Sequence, residues 1–272
     1  MTDRIAAAFA ANGKRAALMP YLMGGFPDLA TSHRIGEAYA DAGADLVELG
    51  VPFSDPLADG PAIHAAATAA LRAGATVEGV LDVGRGLSER LPVAVMCYAN
   101  PILARGAQAF ARALAEAGIA GLIVPDLPAE EAADIRAACD EQGVALIPLA
   151  APTTPDDRLR AIGASARGFL YTVSLTGTTG ERTAIAEGLA DVIGRAKRAT
   201  TVPVAVGFGI ATPDQAAQAA SAGADGVIVG SRLVREAAEA TDPAEAVRRL
   251  VEDLAAGLTP TAQGPTPNAQ RL

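Results

Sequence analysis

The chain has 272 residues, of which 50% are hydrophobic and 19% charged, and its formal net charge is -9. That length suits one large domain with a sizeable core, since α/β barrels run near about 250 residues. An acidic chain without a basic run lacks the electrostatic footprint of a nucleic-acid binder, and no apolar run approaches the roughly 20 residues of a membrane helix.

The run Ile5–Ala11 is preceded by Asp3 and followed by Lys14 and Arg15, so it reads as an amphipathic leader helix rather than a secretory core. Short apolar runs then recur at Leu18–Met23, Leu46–Leu49, Val93–Tyr98, Gly121–Pro125, Ala145–Leu149, Phe169–Val173, Val204–Phe208 and Val227–Gly230. Runs that are apolar at nearly every position suit strands buried on both faces, as in a parallel sheet. Ala129–Gln142 and Pro213–Ala222 carry the pattern of amphipathic helices. Ala42-Gly43, Ala117-Gly118 and Ala222-Gly223 supply C-terminal stops for helices.

Strand–helix units in such succession predict a single α/β domain, a (βα)8 TIM barrel over residues 1–258, with a doubly wound open sheet as the alternative. Three stretches depart from the minimal repeat. Residues 50–91 are long enough for a loop and two helices, Ser174–Thr183 forms a Gly/Thr-rich loop after the sixth strand, and Gly230-Ser231 opens an extra helix after the eighth. The tail Thr259–Leu272 is rich in Pro, Thr, Gln and Gly without periodicity, and is expected to be disordered. Cys97 falls in a strand-like run and Cys139 in a helix-like one, which suits buried, reduced thiols in a cytoplasmic protein.

Catalytic groups in this fold lie at the C-terminal ends of the strands. Glu48 stands inside the apolar run Leu46-Val47-Glu48-Leu49, where burial as an anion is costly; a raised pKa there suits a general acid or base. The alternative is a structural carboxylate paired with a neighbour, although no Arg or Lys lies close in sequence. The following loop carries Asp55 and Asp59 and is stiffened by Pro52, Pro56 and Pro61; either aspartate could instead cap the helix that begins near Pro61.

An overall negative field repels an anionic substrate, so a phosphate would need local donors. Gly177-Thr-Thr-Gly180, Gly207-Phe-Gly209 and Gly230-Ser231 follow the last three strands. That is where barrels often hold phosphate with backbone N–H groups and the start of a short extra helix. The glycines do not make a dinucleotide fingerprint, because the third glycine is missing. Lys14 and Lys197 are the only lysines and neither is at a strand's C-terminal end, which leaves a Schiff-base aldolase without a nucleophile. His33 and His64 sit in helical stretches away from any Cys/His cluster, so a zinc aldolase lacks its ligands, and His64 reads as a surface or packing residue. Carboxylate acid/base chemistry on a phosphorylated ligand remains.

The stretch Glu48-Leu-Gly-Val-Pro-Phe-Ser-Asp-Pro-Leu-Ala-Asp-Gly-Pro61 resembles the signature of the tryptophan synthase alpha chain family. Tyr98-Ala-Asn100, Tyr171 through Gly180 and Gly207-Phe-Gly-Ile210 follow in the family's order. The resemblance implies the retro-aldol cleavage of indole-3-glycerol phosphate to indole and D-glyceraldehyde 3-phosphate, without cofactor or metal. By it, Glu48 is the general acid/base and Asp59 the carboxylate that holds the indole N–H. Thr179 is the lid residue that reaches Asp59, and Gly180, Gly209, Gly230 and Ser231 form the phosphate cradle. Tyr21, Met96, Ile123, Leu149, Tyr171 and Phe208 are expected to line the indole pocket, with plain barrel packing as the alternative for Ile123 and Leu149. It also implies a partner beta subunit in an α2β2 assembly, facing the Pro52–Asp59 loop and the segment after Tyr98, and receiving indole through a tunnel.

Two positions depart from the family: Met23 removes a hydroxyl near the site, and Phe26 removes an acid from the turn that follows. Competing readings are a lyase that works alone, a regulatory subunit that only binds the substrate, and another phosphate-binding barrel such as a sugar-phosphate isomerase. The presence of Glu48 and Asp59 speaks against the second, and the lack of a lysine or histidine at a strand end against the third.

Overall fold

A computed structural model describes residues 3–173, 188–207 and 209–260. Within them the strands are β1 (Ala17–Met23), β2 (Val47–Gly50), β3 (Val93–Met96), β4 (Gly121–Ile123), β5 (Ala145–Ile147), β6 (Leu149–Ala150), β7 (Leu170–Val173), β8 (Val204–Gly207) and β9 (Gly226–Val229). All pair in parallel, in the order β5-β4-β3-β2-β1-β9-β8-β7-β6. The expected fifth strand is thus in two pieces. Pro148 lies between them and has no N–H to give to a ladder. The Tyr171 N–H bonds to the Pro148 carbonyl at 3.0 Å, which carries the pairing across the break, so the two ends of the sheet meet in a barrel.

Helices α1 (Arg4–Ala11), α2 (Leu29–Asp41), α3 (Pro61–Arg72), α4 (Val77–Ser88), α5 (Ala99–Arg105) and α6 (Ala107–Glu116) accompany the first half. The second half carries α7 (Ala133–Gln142), α8 (Asp156–Ala164), α9 (Leu189–Ala199), α10 (Pro213–Ser221), α11 (Ser231–Glu239) and α12 (Pro243–Leu258). The two helices expected in 50–91 are α3 and α4, and the helix expected at Gly230-Ser231 is α11. The helix expected over Ala129–Gln142 is divided: Ala129–Glu131 is a 3-10 turn, and Ala132 at ψ 0° separates it from α7. The third and fourth strands stop at Met96 and Ile123, short of the expected Tyr98 and Pro125, because helix α5 begins directly after Tyr98 and Pro125 cannot donate to a ladder. The expected loop Ser174–Thr183 and almost all of the tail lie outside the described residues.

Alternation along each strand separates two cores. Leu18, Leu22, Val47, Leu49, Val93, Val95 and Leu122 point outward to the helices. Met19, Leu46, Ala94, Ile123, Ile147, Phe169, Ala205 and Ile228 fill the barrel interior. Ile5 and Phe9 of α1 join this inner cluster, with the Phe9 ring 5.8 Å from that of Phe169, so the leader helix closes the N-terminal mouth. Plugging that end leaves the C-terminal mouth as the way in. Among the described residues no helix is long and apolar enough to cross a membrane.

Candidate active site

Glu48 is on the inner face of β2, flanked at its own level by Tyr21 of β1 and Ala94 of β3. Its residue is 1% exposed. Burial pushes its carboxyl up to about 8; the Tyr171 hydroxyl, hydrogen-bonded to it, opposes the rise, and the negative charge of Asp59 adds to it. Oε2 has no hydrogen-bond partner among the described residues. A structural carboxylate would be satisfied by a cation or by several donors. Among the described residues Glu48 has neither, which speaks against the paired-neighbour alternative.

Two glycines make room for the phenols around it. A Cβ on Gly50 would lie 2.0 Å from the Tyr21 hydroxyl, and a Cβ on Gly207 would lie 2.8 Å from the Tyr171 hydroxyl. A larger residue at the end of β2 would displace the Tyr21 phenol, and one at the end of β8 would displace the Tyr171 hydroxyl that bonds to Glu48.

Asp59 comes from the loop between β2 and α3. The Val51 N–H bonds to the Met96 carbonyl at 2.8 Å and anchors the start of that loop. The Tyr98 hydroxyl holds its end, accepting from the Ala58 N–H at 3.0 Å and donating to Asp59 Oδ1 at 2.8 Å. The Phe53 ring stacks on Tyr98 with centroids 5.3 Å apart. Asp59 is half-buried, and burial raises its pKa against the hydrogen bond from Tyr98 and the charge of His64. The residue capping α3 is Gly60 and no side chain caps the helix, so Asp59 is free of the capping role left open for it. Asp55 accepts a bond from its neighbour Ser54 on the exposed part of the loop.

Glu48 and Asp59 open into one cavity of about 710 Å³. Tyr21, Met96, Leu149 and Tyr171 line it, together with Ile63 of α3. Gly209, Gly230 and Ser231 lie along another part of the wall. Helix α11 starts at Ser231 with Gly230 as its cap and no side chain on its first N–H groups, the arrangement that receives an anion. Ile123 is fully buried in the inner core and does not line the cavity. Thr179, Gly180 and Phe208 lie outside the described residues.

Sequence reasoning missed the holding role of Tyr98 and the space made by Gly50 and Gly207. The signal for Tyr98 was an aromatic hydroxyl at the mouth end of a strand. For the glycines it was their position on an inner face, where an apolar side chain would otherwise pack. Cys97 and Cys139 are buried and unpaired, as expected, and burial pushes both thiols up to about 12.

Comparison with known proteins agrees along nearly the whole chain. The profile described as "Tryptophan synthase alpha chain" matches residues 8–262. A tryptophan synthase alpha chain from Methanosarcina mazei is 45% identical over 245 residues, which is 90% of each chain. One from Gloeobacter violaceus is 49% identical over 253 residues, 92% of this chain and 91% of the other. Among solved structures, a chain of Mycobacterium tuberculosis tryptophan synthase superposes with a TM-score of 0.89 at 41% identity, covering 96% of this chain and 100% of that one. A mutant of the tryptophan synthase alpha-subunit from the hyperthermophile Pyrococcus furiosus gives 0.82 at 36% identity, with 89% and 98% covered. Matches of this extent, in sequence and in fold, show that the chain belongs to the tryptophan synthase alpha chain family.

Proposed function

We propose that Glu48 and Asp59 carry the chemistry of the reaction that belongs to the family: cleavage of indole-3-glycerol phosphate to indole and D-glyceraldehyde 3-phosphate, the indole going to a beta subunit. The observation that carries this reading is the buried Glu48 carboxyl, with Oε2 unpartnered among the described residues, facing the same cavity as Asp59.

With its carboxyl pushed up to about 8, Glu48 is mostly protonated near neutral pH and is able to give its proton to indole C3. The ring then carries a positive charge that is shared with its nitrogen. As a carboxylate, Glu48 next takes the proton of the glycerol hydroxyl beside C3. The carbonyl forms, the carbon–carbon bond breaks, and its electron pair returns to the ring as neutral indole. Asp59, ionised and hydrogen-bonded to the indole N–H, stabilises the charged ring that precedes cleavage. Tyr21, Met96, Leu149, Tyr171 and Phe208 surround the indole, with Ile123 packed in the core below. Gly180, Gly209, Gly230 and Ser231 hold the phosphate through backbone N–H groups and the start of α11, and Thr179 belongs to a lid that reaches Asp59.

Neither lysine competes for the carbonyl. Lys14 bonds to Asp45 Oδ1 at 2.9 Å and Lys197 to Asp225 Oδ1 at 2.7 Å, both just ahead of strands at the barrel's N-terminal end. The chemistry proposed is carboxylate-based, without a Schiff base, and no cluster of three or more metal-ligating side chains occurs among the described residues. The beta subunit docks on the Pro52–Asp59 loop and the segment after Tyr98, giving an α2β2 assembly. Leu57 in the loop is 88% exposed and Leu103 on α5 is 63% exposed, apolar side chains of the size that partner surfaces cover. Two unpaired buried cysteines fit the reducing cytoplasm.

The test is indole release from indole-3-glycerol phosphate by the purified chain, with and without a cognate beta subunit. Glu48→Gln should lose turnover by a factor of about 10² to 10⁴, and Asp59→Asn by nearly as much, with the fold retained in both. Near-normal turnover in either variant would remove that residue from its role.

A further inference from the structure

Tyr21 is a polar group of the cavity, between Glu48 and α11, for which the reaction just described has no use beyond packing. Its hydroxyl is buried, and its hydrogen-bond partner among the described residues is the Met23 thioether, with Sδ 3.9 Å away. A thioether is a weak acceptor, so a buried phenol held only by one is underused.

The position of that hydroxyl is informative. Tyr21 pairs in register with Glu48, and Met23 pairs with Gly50 one inner level nearer the mouth. The hydroxyl reaches that upper level, because a Cβ on Gly50 would stand 2.0 Å from it. On its other flank, a Cβ on Gly230 would lie 3.6 Å from the Tyr21 Cβ. The phenol therefore occupies the space between the acid/base carboxyl and the backbone where α11 begins. Burial, and the charges of Asp59 and Glu48, hold its pKa well above 10, so it remains a protonated donor.

A substrate with its ring over Glu48 and its phosphate at α11 would pass its polyol chain over the Tyr21 phenol, whose hydroxyl is at the Glu48 end and whose Cβ is at the α11 end. We infer that the Tyr21 hydroxyl donates a hydrogen bond to a hydroxyl of that chain, and so selects polyol phosphates over chains that lack hydroxyls. The inference rests on the placement of ring and phosphate proposed above. It also accounts for Met23: a thioether leaves the phenol free for the substrate, where a hydroxyl side chain would compete for it.

Tyr21→Phe keeps the ring and removes the one atom at issue. The probes are indole-3-glycerol phosphate and 3-(indol-3-yl)propyl phosphate, which has the same ring and phosphate but no chain hydroxyls. Tyr21→Phe should lower kcat/KM for the first about tenfold and leave the inhibition constant of the second within about twofold. An unchanged kcat/KM would overturn the inference. Equal weakening of both ligands would overturn it as well, since that is the signature of lost packing. Glu48→Gln separates the two layers: turnover surviving in that variant sinks the acid/base reading itself, whereas a flat Tyr21→Phe result beside a dead Glu48→Gln sinks only the role of the hydroxyl.

Discussion

Tyr98 holds Asp59 in place through one oxygen: its hydroxyl donates to Oδ1 at 2.8 Å while accepting the Ala58 N–H at 3.0 Å. The loop that carries Asp59 is otherwise exposed from Ser54 to Asp55 and again from Leu57 to Ala58, so this bond sets where the carboxylate points.

Tyr98→Phe separates that positioning role from simple packing. Burial already raises the Asp59 pKa, and the bond from Tyr98 works against the rise. Losing a donor to the charged form lets the pKa climb further. If ionised Asp59 is needed for turnover, the acidic limb of the kcat/KM profile moves to higher pH, and kcat at pH 7 falls roughly tenfold. A variant that loses thermal stability while its acidic limb stays in place would show that the hydroxyl merely tethers the loop.

The Glu48 carboxyl makes stability depend on pH in an unusual direction. Burial raises it from 4.5 to about 8, so between those values the folded chain keeps a proton that the unfolded chain has released. Stability must then fall as pH rises through this window, because the unfolded state binds fewer protons than the native one. Below the window both states are protonated and no penalty exists; above it the folded chain holds a buried charge. Glu48→Gln removes the penalty. Its advantage over the parent in urea unfolding should be small at pH 5 and grow to the order of 5 kcal/mol by pH 9. Unfolding curves that stay the same distance apart across this range would mean that Glu48 is not protonated in the folded chain near neutral pH.

The barrel was legible in the sequence because parallel strands buried on both faces leave continuous apolar runs, and those runs alternate with helices closed by Ala-Gly. The break at Pro148 was not, since the run Ala145–Leu149 stays apolar through the proline, and only the ladder reveals the missing donor. Glu48 stood out because a lone carboxylate in an apolar run has few structural excuses. Asp59 did not stand out on chemistry alone. An aspartate followed by Gly60-Pro61 is also what starts a helix, and only its bond to Tyr98, distant along the chain, decides between the two. Gly50 and Gly207 were unreadable for a related reason: what a glycine makes room for lies on a neighbouring strand, at a register the sequence does not state.

The exposed leucines allow the docking surface to be tested apart from the chemistry. Leu57 sits in the loop that ends at Asp59, and Leu103 is on α5, the helix that follows Tyr98. Tyr98 joins the two segments through Ala58 and Asp59, so a partner that covers both leucines also presses on the bond that orients the carboxylate. Burying a leucine is worth about 1.5–3 kcal/mol, which corresponds to roughly a ten- to hundredfold change in affinity. Leu57→Glu and Leu103→Glu should each weaken binding of the beta subunit by at least about tenfold in calorimetric titration. Leu71 on α3, 38% exposed, serves as the contrast, and Leu71→Glu should bind as the parent does. Equal losses from all three would point to a general effect of added negative charge on an already acidic chain. Losses from Leu71→Glu alone would move the partner's footprint away from the Asp59 loop and break the link between docking and the position of the carboxylate.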